Sequence, residues 1–142
     1  KVVELAVLTF DAKAYECDIK LESKIDSNIK FNFDTYSINE LVEILLDNAL
    51  KHADKKSTIA VSLKEQGNNI ILSVTDTGDI IPKGEEEKIF ERFYRLDKSR
   101  SRKENRYGLG LAIAKNIVIN HNGKISAESV GKVTTFKVLF KK

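Results

Sequence analysis

Ser37-Ile38-Asn39-Glu40-Leu41-Val42-Glu43-Ile44-Leu45-Leu46-Asp47-Asn48-Ala49-Leu50-Lys51-His52 decides how this chain is read. Ser37 and Glu40 have the S-x-x-E spacing of a capping box. Ile38, Leu41, Val42, Leu45, Leu46, Ala49 and Leu50 then recur with helical period, which predicts one helix with a broad apolar face. Asn48 and Lys51 share a side of that helix, at the border of the apolar face. An asparagine beside an apolar seam is costly unless its amide finds a partner. Its oxygen suits Mg²⁺, which takes oxygen ligands and keeps phosphate oxygens and waters. Lys51 would meet phosphates as a point charge. Taken alone, the pair fits better a border amide bonded to backbone and a solvated lysine.

Downstream of this helix, Ile59, Val61 and Leu63 alternate with polar residues, Gly67-Asn68-Asn69 turns, and Ile70, Leu72 and Val74 alternate back, a hairpin pattern. Asp76-Thr77-Gly78 follows the second strand. A carboxylate at a strand end can accept a hydrogen bond from a base amino group, and Gly78 lets backbone approach a ligand closely; a plain Asp-x-Gly turn has the same sequence. Residues of about 79–107 read as a long insertion, with Pro82 and Gly84, the aromatics Phe90, Phe93 and Tyr94, and the basic run Arg92, Arg95, Lys98, Arg100, Arg102, Lys103 and Arg106. Loops of that length in compact domains are functional or disordered. Such a basic segment can fold over a triphosphate or stay a solvated charge run.

Tyr107-Gly108-Leu109-Gly110-Leu111 opens a second helix, and glycines there free N–H groups to face an anion. That helix ends at Asn122-Gly123, with Gly123 read as the left-handed cap. Lys124 to Glu128 and Thr134 to Phe140 close the chain as strands. Upstream, Leu5 to Glu16 reads as a helix. Ile19 and Leu21, and then Ile29, Phe31 and Phe33, read as two extended segments around a turn at Asp26-Ser27-Asn28. The sum is one α+β domain over residues 1–142, a two-layer sandwich whose mixed sheet carries helices on one face.

Composition narrows the function. The chain has 142 residues, enough for one core, and its 42% hydrophobic and 32% charged residues are ordinary for a globular domain. No apolar run is long enough to span a membrane, and the opening residues lack a signal peptide pattern, so the expected setting is cytoplasmic. A net charge of +3 does not argue for nucleic acid. Cys17 is the only cysteine and the histidines are just His52 and His121, which argues against a disulfide or a zinc site.

The order of these features resembles the catalytic ATP-binding domain of bacterial sensor histidine kinases. Leu46-Asp47-Asn48-Ala49-Leu50-Lys51-His52 is similar to the N box, Asp76-Thr77-Gly78 to the start of the G1 box, Ile89-Phe90-Glu91-Arg92-Phe93-Tyr94-Arg95 to the F box, and Gly108-Leu109-Gly110-Leu111-Ala112-Ile113-Ala114-Lys115 to the G2 box. Gly123-Lys124-Ile125 and Thr134-Thr135-Phe136 match the closing strands.

The resemblance implies the Bergerat-type ATP fold with a lid over about 79–107. It places Asn48 on Mg²⁺, Lys51 and His52 near the phosphates, and Asp76 with Gly78 at the adenine. Gly108, Leu109, Gly110 and Leu111 fall at the phosphates, Arg92 and Arg95 become candidate phosphate contacts, and Thr135 joins the nucleotide site. It implies ATP and Mg²⁺ as cofactors. Its implied partners are a histidine-bearing dimerisation domain and a response regulator downstream. The isolated piece is expected to be monomeric, to bind no nucleic acid, and to come from the cytoplasmic side of a membrane-bound kinase.

The chain departs from the family at Ile80, where the G1 box has a second glycine, at Arg106 and Val133, also glycine positions, and at Ile44. A β-branched Ile80 predicts a rerouted or strained loop. Ile44 stands where ATP-hydrolysing cousins carry a general-base glutamate, which argues against an ATPase of the gyrase or MutL type. A nucleotide-poor regulatory module and an anti-sigma-factor-type serine kinase are the competing readings.

Overall fold

The computed structural model describes residues 2–26, 29, 33–92 and 109–142. The elements are α1 (Val2–Glu16), β1 (Lys20–Ile25), α2 (Thr35–His52), β2 (Thr58–Gln66), β3 (Asn69–Thr77), a 3-10 turn (Lys88–Phe90), α3 (Gly110–Asn120), β4 (Lys124–Val130) and β5 (Val133–Lys141). The strands form one five-stranded sheet in the order β1-β2-β3-β5-β4. β1 runs parallel to β2, and the other pairings are antiparallel. The expected mixed sheet and single helical layer are both present.

The sheet is apolar on one side because its strands alternate. Ile59 and Val61 of β2, Ile70, Leu72 and Val74 of β3, and Phe136, Val138 and Phe140 of β5 point inward and are buried. Leu41, Val42, Leu45, Leu46 and Ala49 of α2 meet them, joined by Val3, Ala6, Val7, Phe10 and Ala14 of α1 and Ala114, Ile117 and Val118 of α3, in one continuous core. Each buried leucine or isoleucine contributes roughly 1.5–3 kcal/mol.

Several local expectations change. α2 begins at Thr35, and its N-cap is Asp34, whose carboxylate accepts from the Ser37 N–H at 3.2 Å and the Ser37 hydroxyl at 2.5 Å. Ser37 therefore sits inside the first turn, as a donor to the cap. At the end of α3 the left-handed residue is Asn122 (φ 59°), not Gly123. Gly123 answers a packing demand instead: a Cβ there would lie 2.6 Å from the Leu139 carbonyl oxygen and 2.9 Å from the Phe140 ring. His121 caps this helix. Its Nδ1 bonds the Ile117 carbonyl at 2.9 Å and its Nε2 accepts the Asp34 N–H at 3.1 Å, tying the end of α3 to the start of α2. Ile29 and Phe33 are in no strand, and Phe31 lies outside the described residues. Ile80 has no positive φ, so the loop takes an unstrained route there.

Candidate functional site

The site lies where α2 and β3 end together. β3 continues through Asp76 and Thr77, two residues further than its apolar alternation. Gly78 then makes an antiparallel bridge with Ala53, just past the end of α2. The Asp54 N–H donates to the Thr77 carbonyl at 2.8 Å, the Asp79 N–H to the His52 carbonyl at 2.9 Å, and the Gly78 N–H to the Lys132 carbonyl at 2.9 Å. A Cβ on Gly78 would stand 2.1 Å from the His52 carbonyl oxygen and 2.8 Å from the Asp54 nitrogen. Glycine is required there because two backbones touch, a contact within the protein itself.

Asp76 is 1% exposed, and its Oδ1 is buried without a hydrogen-bond partner among the described residues. Burial, then the nearby charges of Asp79 and Asp54, push its carboxyl up to about 7. A histidine and a lysine sit one step out. His52 Nδ1 lies 3.1 Å from Asp79 Oδ2, and Lys132 Nζ lies 2.8 Å from Asp54 Oδ2. The Lys132 ammonium is raised by its hydrogen bond to Asp54 and by that charge.

The residue facing Asp76 on β5 is Thr134, which is 3% exposed and its register partner. Thr135 pairs with Thr75 instead, with the hydroxyls 3.4 Å apart, and so faces the other side of the sheet. Thr135, expected at the nucleotide site, thus lies on the face of the sheet away from Asp76. Strand alternation from the inward Phe136 could have identified Thr134. The Thr134 hydroxyl donates to the Asp79 carbonyl at 3.2 Å and lies 2.6 Å from Ser129 Oγ, which accepts the Ile81 N–H at 2.8 Å. Neither Ser129 nor the role of Thr134 was visible in the motifs.

The second half of the site is the start of α3. Its N-cap position, Leu109, offers no side-chain cap to the first N–H groups of the helix among the described residues. Gly110 opens the helix, and a Cβ on it would meet only Ile44 Cγ2, at an ordinary 3.7 Å. Packing within the described residues thus gives no reason for glycine there. Ile44 is thereby placed against the start of α3, and Asn48 follows one turn on along the same face of α2, half-buried and with no side-chain hydrogen bond among the described residues. Glu43 is turned to Asn39 at 3.2 Å. Lys51 pairs with Asp47 at 3.4 Å, and Lys13 of α1 reaches the same carboxylate at 3.3 Å. Leu111 is partly buried against the core.

Arg92 is exposed just beyond Ile89 and Phe90, which are buried, with the Phe90 ring edge-on to Phe136 at 6.1 Å. Phe90 is therefore a core residue. Arg95, Gly108, Phe93, Tyr94 and the basic run lie outside the described residues. No cluster of three or more His, Cys, Asp or Glu side chains suited to a metal occurs among the described residues.

Residues 33–142 match the family described as histidine kinase-, DNA gyrase B-, and HSP90-like ATPase. The chain belongs to this family. It is 39% identical over 127 residues to the signal transduction histidine-protein kinase ArlS of Staphylococcus aureus, a match that covers 89% of this chain and 28% of that protein.

The fold of this ATPase-family domain is shared with the catalytic domain of the histidine kinase ThkA (TM-score 0.86, 23% identical, 99% of this chain and 90% of that one). It is shared also with the mycobacterial sensor histidine kinase MprB (TM-score 0.81, 24% identical, 99% and 91%). No described helix is long and apolar enough to cross a membrane.

Proposed function

We propose that this domain binds Mg-ATP and donates the γ-phosphoryl group to a histidine on a separate dimerisation domain, from which it passes to a response-regulator aspartate. The observation that carries the reading is the orphaned Oδ1 of Asp76. A buried carboxylate oxygen without a partner is costly, and a base amino group would satisfy it. Phosphates would then lie toward the uncapped start of α3, where the N–H groups and the helix dipole favour anions and Gly110 leaves room. Asn48 would offer its amide oxygen to Mg²⁺, and the ion would supply neutralising charge to the phosphate oxygens. Leu109, Leu111, Gly108, Arg92 and Arg95 are proposed to border the phosphates, and Lys51 to add charge from α2.

Transfer to an external group, not to water, is supported at Ile44. An aliphatic side chain beside the start of α3 cannot take a proton from water, and Glu43 is occupied by Asn39. Phosphoryl transfer to an imidazole needs little activation of the nucleophile: the nitrogen attacks the γ-phosphorus, ADP leaves, and the imidazole proton goes to solvent. His52 and His121 are both held in structural contacts, to Asp79 and to Ile117 and Asp34. The acceptor is therefore proposed to be elsewhere, on the cytoplasmic part of a membrane-bound kinase.

Calorimetric titration of the chain with ATP, ADP and GTP, with and without Mg²⁺, tests the proposal. Magnesium-sensitive binding that prefers ATP supports it, and Asn48→Asp should weaken only the magnesium-dependent part. Absence of binding at millimolar ATP would sink it in favour of a regulatory module that acts through protein contacts.

A further inference from the structure

We propose that Ser129 is a positioning residue that, through Thr134, couples the base position proposed at Asp76 to the segment leaving β3. The inference rests on the nucleotide reading above. A hydroxyl has one proton and two lone pairs. Thr134 gives its proton to the Asp79 carbonyl (3.2 Å), so the 2.6 Å contact between the hydroxyls must be donated by Ser129. Ser129 in turn accepts the Ile81 N–H at 2.8 Å. The chain of donors runs one way: Ile81 N–H to Ser129, Ser129 to Thr134, Thr134 to the Asp79 carbonyl. It begins and ends on the same short loop, which closes on the β4–β5 hairpin as a ring. Ile81 is also 6% exposed within the core, so the loop is pinned at both ends.

Thr134 lies opposite Asp76 on the inner face of the sheet, so a base seated on Asp76 meets that hydroxyl. A ring nitrogen can take the Thr134 proton only if the Asp79 carbonyl gives it up. The loop at Asp79–Ile81 therefore responds to an occupied pocket, and Ser129 keeps the Thr134 oxygen in place while the proton changes partner. Asp79 is also the residue paired with His52 at the end of α2, so the response reaches that helix end.

The test uses Ser129→Ala and Ser129→Thr in the chain, with calorimetry against ATP and GTP and amide hydrogen exchange at Ile81. Ser129→Ala is expected to weaken ATP binding by about five- to tenfold, the scale of one hydrogen bond, and to speed exchange at Ile81. The preference for ATP over GTP should survive, because Asp76 is intact, and Ser129→Thr should restore both affinity and protection. Parent-like affinity in Ser129→Ala, unchanged exchange at Ile81, or no rescue by threonine overturns the proposal. In the unmutated chain, ATP must also shift the amide resonances of Asp79 and Ile81; unmoved resonances during saturable binding overturn it without any variant. If the parent binds no nucleotide, the nucleotide reading fails and the coupling fails with it.

Discussion

Strand β3 has two ends that are equally buried and chemically opposite. Ile70, Leu72 and Val74 are 0%, 1% and 1% exposed, and each faces an aromatic or aliphatic partner on β5, namely Phe140, Val138 and Phe136. Two residues further on, Asp76 is also 1% exposed, but it faces Thr134 and keeps Oδ1 without a partner among the described residues. Dehydration that stabilises the first three positions destabilises the charged form of the fourth. The two ends share a strand and a face, so a fold requirement does not explain the carboxylate. A ligand does.

Four experiments would break or sharpen this contrast. At the apolar end, Leu72→Ala should cost about 2–5 kcal/mol in denaturant unfolding while leaving nucleotide preference as it was. A loss of ATP preference there would mean that the two ends are not separable. At the junction, Gly78→Ala should cost about 1–3 kcal/mol and weaken nucleotide binding, because the new Cβ overlaps the His52 carbonyl and pushes α2 off the strand. Normal stability in that variant would show that the backbone contact relaxes freely.

At the polar end the sign reverses. Asp76→Asn removes a buried charge and should stabilise the ligand-free domain by about 1–3 kcal/mol near pH 8, while reducing discrimination of ATP from GTP. A destabilised variant would show that Asp76 already has its full complement of partners.

The smallest effect is the pH dependence. The Asp76 carboxyl is raised from 3.8 to about 7, so the folded domain holds a proton that the unfolded chain releases. Its stabilisation is fully present below the unfolded value and is lost as pH rises through about 7. Parent stability relative to Asp76→Asn should therefore fall between about pH 5 and pH 8. A ligand N–H favours the carboxylate form, so ATP affinity, referenced to the same variant, should rise over that interval. Slopes of the opposite sign would place the proton elsewhere.

Much of the fold was legible because periodicity reports which faces lose water. The inward leucines of α2 and the alternating rows of β2, β3 and β5 are a direct imprint of burial. The capping of α2 was misplaced by three residues, because Asp34 and Ser37 are both good caps and only the chain's path selects between them. The end of α3 was misread similarly: Asn122 and Gly123 both tolerate the left-handed region, and crowding from Leu139 and Phe140 forces glycine into the second place.

The site was legible in its residue types and less so in its directions. The motifs single out Asp76, Gly78, Asn48 and Gly110 as a set, but a motif carries no register, and only the sheet shows that Thr134, not Thr135, faces Asp76. Ser129 belongs to no motif and gains its place from contacts with Thr134 across the β4–β5 hairpin and with Ile81, far along the chain.

The sequence by itself determined the layers, the strand phases and the family to which the domain belongs, because local periodicity and short motifs are properties of neighbouring residues. Tertiary structure alone decided that Asp76 Oδ1 lacks a partner among the described residues, that Gly78 answers to the end of α2, and that Thr134, Ser129 and Ile81 form one chain of donors. Those facts depend on distances between segments dozens of residues apart, and hydrogen bonding and dehydration act through such distances, not through order along the chain.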